Sequence, residues 1–190
     1  MKHFYKKLGQ DWFTFPNLYS GMVKRFGDGS HFVEVGSWKG RSAAFLAVEI
    51  YNSGKRIRLD SVDTWEGSEE HMVEGSDTYE PLLKVKDGLY NEFIRNIKPV
   101  KKIINPVRMT SVEASRIYDD ESLDFVFIDA AHDYTSVKTD IRNWLPKVKK
   151  GGVLSGHDYS WGPEVKQAVD EFFSGDELIE SEGCWIHNKK

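Results

Sequence analysis

Short apolar runs rich in β-forming residues alternate along this chain with segments in which apolar residues recur every three or four positions. That alternation predicts βαβ units building a parallel sheet. The runs read as strands are His31 to Gly36, Ile57 to Asp63, Lys102 to Pro106, Leu123 to Asp129, Gly152 to Gly156, Glu177 to Glu182 and Cys184 to Asn188. Almost nothing separates the last two around Gly183, too little chain for a helical crossover, so they are expected to pair antiparallel. The expectation is an α/β fold: one seven-stranded sheet, mostly parallel with an antiparallel last strand, and helices on both faces.

Between the strands the period is helical. Leu82, Leu83, Leu89, Tyr90, Phe93, Ile94 and Ile97 make one face, with Pro81 in its first turn and Gly88 inside it. Val137, Ile141, Trp144 and Leu145 make a second stripe, and Val165, Ala168, Val169, Phe172 and Phe173 a third, opened by Pro163. Thr110 and Glu113 have capping-box spacing, so a short helix is predicted just after Thr110, through Ala114 and Ile117. An N-terminal helical segment within residues 1–30 carries Leu18, Tyr19, Met22, Val23 and Phe26. The stretch Trp65 to Glu80 is polar, acidic and without period, and it follows a strand's C-terminal end; residues 65–80 read as a lid loop over a site.

Composition narrows the classes. A chain of 190 residues is expected to form one domain over 1–190. Apolar residues at 39% and charged residues at 29% describe an ordinary globule, and a formal charge of −4 leaves no excess of Lys and Arg for a phosphate backbone. A nucleic-acid partner is not expected. One cysteine, Cys184, cannot close an intramolecular disulfide, the opening lacks a signal-peptide core, and no run reaches the roughly 18 consecutive apolar residues of a membrane span. A cytoplasmic location without membrane contact is the expectation, and a homo-oligomer is compatible with it.

In an open parallel sheet, ligands bind beyond the carboxyl ends of the strands. The first strand runs into Glu34-Val35-Gly36-Ser37-Trp38-Lys39-Gly40-Arg41-Ser42. A dinucleotide fingerprint needs glycine where Trp38 and Arg41 stand, which argues against NAD. A P-loop needs glycine at Val35 and lysine at Arg41, and remains a remote alternative. A nucleoside without phosphates needs no anion nest and tolerates Glu34. Asp63 ends the second strand, where a carboxylate can accept hydrogen bonds from both hydroxyls of a ribose.

With VEVGSWKGRS followed by SVDTWEGS, the chain resembles the class I S-adenosylmethionine methyltransferases of Rossmann-like, doubly wound fold, particularly their small-molecule branch. The resemblance runs from about His31 to Tyr159. It implies that Gly36 and the neighbouring backbone of Ser37 and Trp38 hold the methionine part, with Glu34 near its amino group. It implies further that Asp63 takes the ribose, that Thr64 or Trp65 lies against the adenine, and that Ser111 sits at the adenine edge. Asp129 completes that cofactor set.

The fourth strand ends Asp129-Ala130-Ala131-His132-Asp133 and the fifth Gly156-His157-Asp158-Tyr159. Neighbouring parallel strands bring these ends together, so Asp129, His157 and Asp158 are the candidate ligands of a divalent metal, Mg²⁺ by its oxygen preference or Mn²⁺ given the imidazole. Such a metal lowers the pKa of an acceptor hydroxyl and positions it for displacement at a methyl sulfonium. His132, three residues past Asp129, is the candidate general base. The arrangement is similar to metal-dependent O-methyltransferases acting on catechols, where the metal-binding Asp is followed three residues later by lysine, and to sugar-modifying relatives with histidine there. Their second metal motif is two consecutive acidic residues or Asp-Asn, for which this chain has His157-Asp158. Asp133 reads as a helix cap, His71 as a solvated loop residue, and Tyr159 and Trp161 as walls of an acceptor pocket. The function expected is S-adenosylmethionine-dependent O-methylation of a sugar-like or other hydroxylated small molecule. A metal-independent methyltransferase and a cofactor-binding protein without catalysis are the alternatives.

Overall fold

A computed structural model describes residues 1–10, 12–173 and 178–190. In chain order its elements are α1 (Pro16–Arg25), β1 (His31–Val35), α2 (Arg41–Ser53), β2 (Arg58–Asp63), α3 (Gly88–Asn96), β3 (Ile104–Arg108), α4 (Ser111–Ser115), β4 (Leu123–Ile128), α5 (Tyr134–Trp144), β5 (Val148–Gly156), α6 (Pro163–Phe172), β6 (Leu178–Ser181) and β7 (Cys184–Asn188). The strands form one sheet in the order β3-β2-β1-β4-β5-β7-β6, and β7 alone runs opposite to the rest, pairing antiparallel with both β5 and β6. Glu177, taken from the sequence as the start of the sixth strand, lies outside the described residues. Among the described residues no helix is long and apolar enough to cross a membrane.

Period-two alternation distributes the strand side chains between two cores. Phe32, Leu59, Phe125 and Phe127 pack under α1, α2 and α3. Val33, Val62, Val126, Ile128 and Leu154 face α4, α5 and α6. The chain winds outward from β1 in one direction and from β4 in the other, so the strand order reverses between β1 and β4, where a crevice opens. The register completes the placement: Val35 pairs with Val62 and with Ile128, and Ile128 pairs with Gly156. Gly36, Asp63, Asp129 and His157 therefore leave the sheet along one edge.

Four features depart from the pattern. The face from Leu82 to Ile97 is broken: Leu82 and Leu83 lie on a separate 3-10 turn, Pro81–Lys84, and α3 starts only at Gly88, behind Asp87 in a left-handed conformation. A Cβ at Gly88 would lie 2.3 Å from the Leu82 carbonyl oxygen, so this glycine permits the break, and Ile94 ends up exposed. The helix α2 has no polar stripe to reveal it, because Ala43, Ala44, Phe45, Leu46, Ala47, Val48 and Ile50 are all buried and it is apolar nearly all round. The helix after Thr110 has both capping-box bonds but ends at Ser115, leaving Ile117 exposed. Finally, the N-terminal segment is helical only from Pro16 onward, apart from a 3-10 turn over Tyr5–Lys7. Glu182, in the β6–β7 turn, anchors the start of α1 by accepting from the Leu18 N–H (3.0 Å) and from Asn17 Nδ2 (2.8 Å).

Candidate active site

One cavity of about 740 Å³ opens at the carboxyl edge of the sheet, a size suited to a cofactor with a small acceptor. Its β1 end is made largely of backbone. Gly36 has φ +88°, and a Cβ there would stand 1.9 Å from the carbonyl oxygen of Asp129, so only glycine lets the two strand ends close up. Trp38, with φ 46°, also occupies the left-handed region. Asp63 holds this loop in shape: Oδ2 accepts from the N–H groups of Ser37 (2.9 Å) and Trp38 (2.8 Å), and Oδ1 from that of Trp65 (2.7 Å). Burial raises the Asp63 carboxyl above its ordinary value, against the pull of these donors.

Of the residues assigned to the cofactor, Gly36, Ser37, Trp38, Asp63, Thr64, Ser111 and Asp129 line the cavity. Glu34 and Trp65 are set behind the wall. Glu34 is 1% exposed; it accepts from Tyr19 Oη (2.8 Å) and Ser37 Oγ (2.7 Å), and desolvation pushes its carboxyl up to about 7. It supports Ser37 from below. Trp65 is packed in the core against Tyr90 and Phe93, with Nε1 donating to the Trp38 carbonyl (2.8 Å), so the adjoining cavity wall is left to Thr64. Ser111 Oγ donates to Asp140 Oδ1 (2.5 Å) and accepts from Trp144 Nε1 (2.8 Å).

The opposite end is built from side chains. His132 Nε2 lies 3.0 Å from Asp158 Oδ2 and 3.7 Å from Asp129 Oδ1, and His157 Nδ1 lies 3.5 Å and 3.7 Å from the same two oxygens. Asp158 adopts φ 59°, a conformation uncommon for aspartate, which turns its carboxylate towards both imidazoles. Hydrogen bonds to Asp129 and Asp158 lift His132 to about 10. His157 rises to about 9 by the same bonds, although burial pulls it down. Against burial, the two imidazoles hold the Asp158 carboxyl well below the usual carboxylate range and lower that of Asp129. His132, expected from the sequence as a general base, thus stands in ion-pair contact with the Asp158 carboxylate.

The donor chemistry of this end fits a divalent cation. One ligand atom each from Asp129, His132 and Asp158 lies within 4.8 Å of the others, so His132 joins the compact trio. His157, named as a ligand from the sequence, has Nε2 bonded to Thr14 Oγ1 (2.9 Å) and turns Nδ1 towards the same two carboxylates. Asp133 caps α5, accepting from the Ser136 N–H (3.0 Å). Tyr159 turns outward to Asp170 and Lys166, whereas Trp161 lines the cavity. His71 lines it too, packed against Trp38 with ring centroids 4.3 Å apart and planes tilted by 34°, and with Nδ1 accepting from the Ser68 N–H (3.0 Å).

Sequence reasoning missed Gln10, Trp12 and Thr14 on this wall. They lie in a stretch of sequence without period; its density of aromatics, Phe4, Tyr5, Trp12, Phe13 and Phe15, was the signal available.

Residues 33–159 match the family model of the methyltransferase domain. The chain belongs to this family, and its sheet is that of a class I methyltransferase. A curated relative, the uncharacterized protein y4gI of Sinorhizobium fredii, is 29% identical over 126 residues, which are 66% of this chain. The chain spans 13% of that relative's length. The structure is similar to that of the O-methyltransferase NovP, with TM-score 0.66 and 21% identity over 92% of this chain and 79% of the other. It is also similar to Aeropyrum pernix fibrillarin with bound S-adenosyl-L-methionine, with TM-score 0.54 and 13% identity over 90% of this chain and 73% of the other.

Proposed function

We propose that this domain transfers the methyl group of S-adenosylmethionine to a hydroxyl of a small molecule. One observation carries the reading: the glycine loop with Asp63 and the Asp129–His132–Asp158 trio face each other across a single cavity. The backbone of Gly36, Ser37 and Trp38 receives the methionine part, and Thr64 and Ser111 flank the adenine. Asp63 already accepts three N–H bonds, two of them on Oδ2, so Oδ1 is the freer oxygen for a ribose hydroxyl.

Asp129, His132 and Asp158 would hold a divalent cation, Mg²⁺ or Mn²⁺, with His157 steadied by Thr14 beside the carboxylates. When bound, such a cation lowers the pKa of the acceptor hydroxyl and aligns its oxygen with the S–CH₃ bond. The His132–Asp158 contact at 3.0 Å favours a second reading, methyl transfer without metal, in which the cluster places the acceptor and neutral His132 takes the hydroxyl proton as its oxygen displaces S-adenosylhomocysteine from the methyl group.

A methyl-transfer screen over hydroxylated compounds, with Mg²⁺ or Mn²⁺ and with chelator, tests both. Asp129→Asn keeps the backbone carbonyl that packs on Gly36, so it is expected to lower transfer by about 10² or more while changing S-adenosylhomocysteine affinity less than twofold. Chelator-resistant transfer that still needs Asp129 selects the metal-free reading. Transfer insensitive to both removes the cluster from the chemistry, and absence of S-adenosylhomocysteine binding at millimolar concentration ends the cofactor assignment.

A further inference from the structure

Two indoles at the cavity are more exposed than packing alone explains. Trp12 is 44% exposed and Trp161 56% exposed, and both line the cavity that holds the charged cluster. Large aromatics left open on a concave wall are characteristic of binding surfaces, because covering them releases apolar area from water.

Each indole is held in place. Trp161 stands edge-on to His157, with ring centroids 5.3 Å apart at 82°, and its Nε1 donates to Asp158 Oδ1. Gly183 in the β6–β7 turn makes room for it: a Cβ there would lie 2.1 Å from the Trp161 ring. Trp12 packs 6.0 Å from Trp38 and 6.3 Å from His71. Two residues further on, Thr14 bonds His157 Nε2. Trp161 thus touches this imidazole directly, Trp12 stands two residues from the threonine that bonds it, and both indoles line the cavity at which an acceptor hydroxyl would react.

The geometry points to an aromatic platform formed by Trp12 and Trp161 that selects acceptors built on a ring with one flat apolar face and a hydroxyl at its edge. This rests on the methyl-transfer reading for its site, not for its recognition chemistry. An indole face receives the C–H face of a pyranose or the face of an arene, both of which stack at little conformational cost. An acyclic polyol presents no flat face to an indole.

The test is ligand-observed saturation-transfer NMR on the full chain with S-adenosylhomocysteine present, using catechol, methyl glucopyranoside and sorbitol as probes. At least one ring probe is expected to bind through its ring C–H protons, and sorbitol is not; which ring binds separates arene from sugar. Trp12→Ala and Trp161→Ala are each expected to weaken the bound ring about 3- to 10-fold and Trp12→Phe less than twofold, with S-adenosylhomocysteine affinity unchanged. Sorbitol binding as well as the rings, no ring binding at all, or wild-type ring affinity in both alanine variants would overturn the platform. Ring binding without any S-adenosylhomocysteine binding would overturn the methyl-transfer reading and leave the platform standing.

Discussion

The two ends of the cavity are built on different principles. The β1 end is a backbone device in which Gly36, pressed against the Asp129 carbonyl, and Asp63, bonded to three N–H groups, leave the loop one shape. The β4–β5 end is a side-chain device in which two acids and two imidazoles face one another at 3.0 to 3.7 Å. Their charges can be redistributed by any ligand that enters. The first end is suited to holding a constant partner and the second to a changing one, because steric closure tolerates no alternatives whereas mobile protons do.

The sharpest way to break the contrast is Gly36→Ala. A Cβ 1.9 Å from a carbonyl oxygen, at φ +88°, is expected to cost about 4 kcal/mol or more, read as a fall in unfolding free energy by denaturant titration. A cost below about 1 kcal/mol would mean that the strand ends are free to part. Asp63→Ala comes next. It leaves the Ser37, Trp38 and Trp65 N–H groups without their acceptor and is expected to destabilise by about 2 to 4 kcal/mol and to weaken S-adenosylmethionine binding at least tenfold, measured by calorimetry.

Glu34 gives the pH test of the rigid end. Its folded carboxyl sits at about 7, above the ordinary value of 4.5, so the native state holds this proton more tightly than the unfolded chain does. The contribution is fully present below about pH 4.5 and is lost as pH rises through 7, a difference of about 2 to 3 kcal/mol between pH 4.5 and pH 8. Comparing unfolding curves of wild type and Glu34→Gln over that window should isolate it; parallel curves would show that the shift is absent. The smallest effect belongs to Thr14→Val, which removes the His157 Nε2 partner: about 1 kcal/mol of stability and a loss of turnover under tenfold. A loss above a hundredfold would make Thr14 part of the chemistry itself.

Much of this was legible beforehand where local rules act alone. Strand runs, the Pro163 helix start, the Thr110 capping box and the Asp133 cap follow from periodicity and from backbone groups that neighbouring residues must satisfy. Local rules fell short where burial was complete or absent. The helix α2 has no polar side to betray it, and residues 1–15 have no period, so Trp12 and Thr14 came to the cavity wall unannounced.

By itself the chain determined the class of the fold and the strand ends from which a site would be made, because hydrophobic period and turn chemistry are properties of neighbouring residues. Only the tertiary structure decided that Glu34 and Trp65 support the wall instead of lining it, and that His132 rather than His157 closes the compact trio. Those assignments depend on which side of a strand end each side chain leaves and on what packs behind it. Distances of 3 Å between residues far apart in sequence are fixed by packing, and no local pattern encodes them.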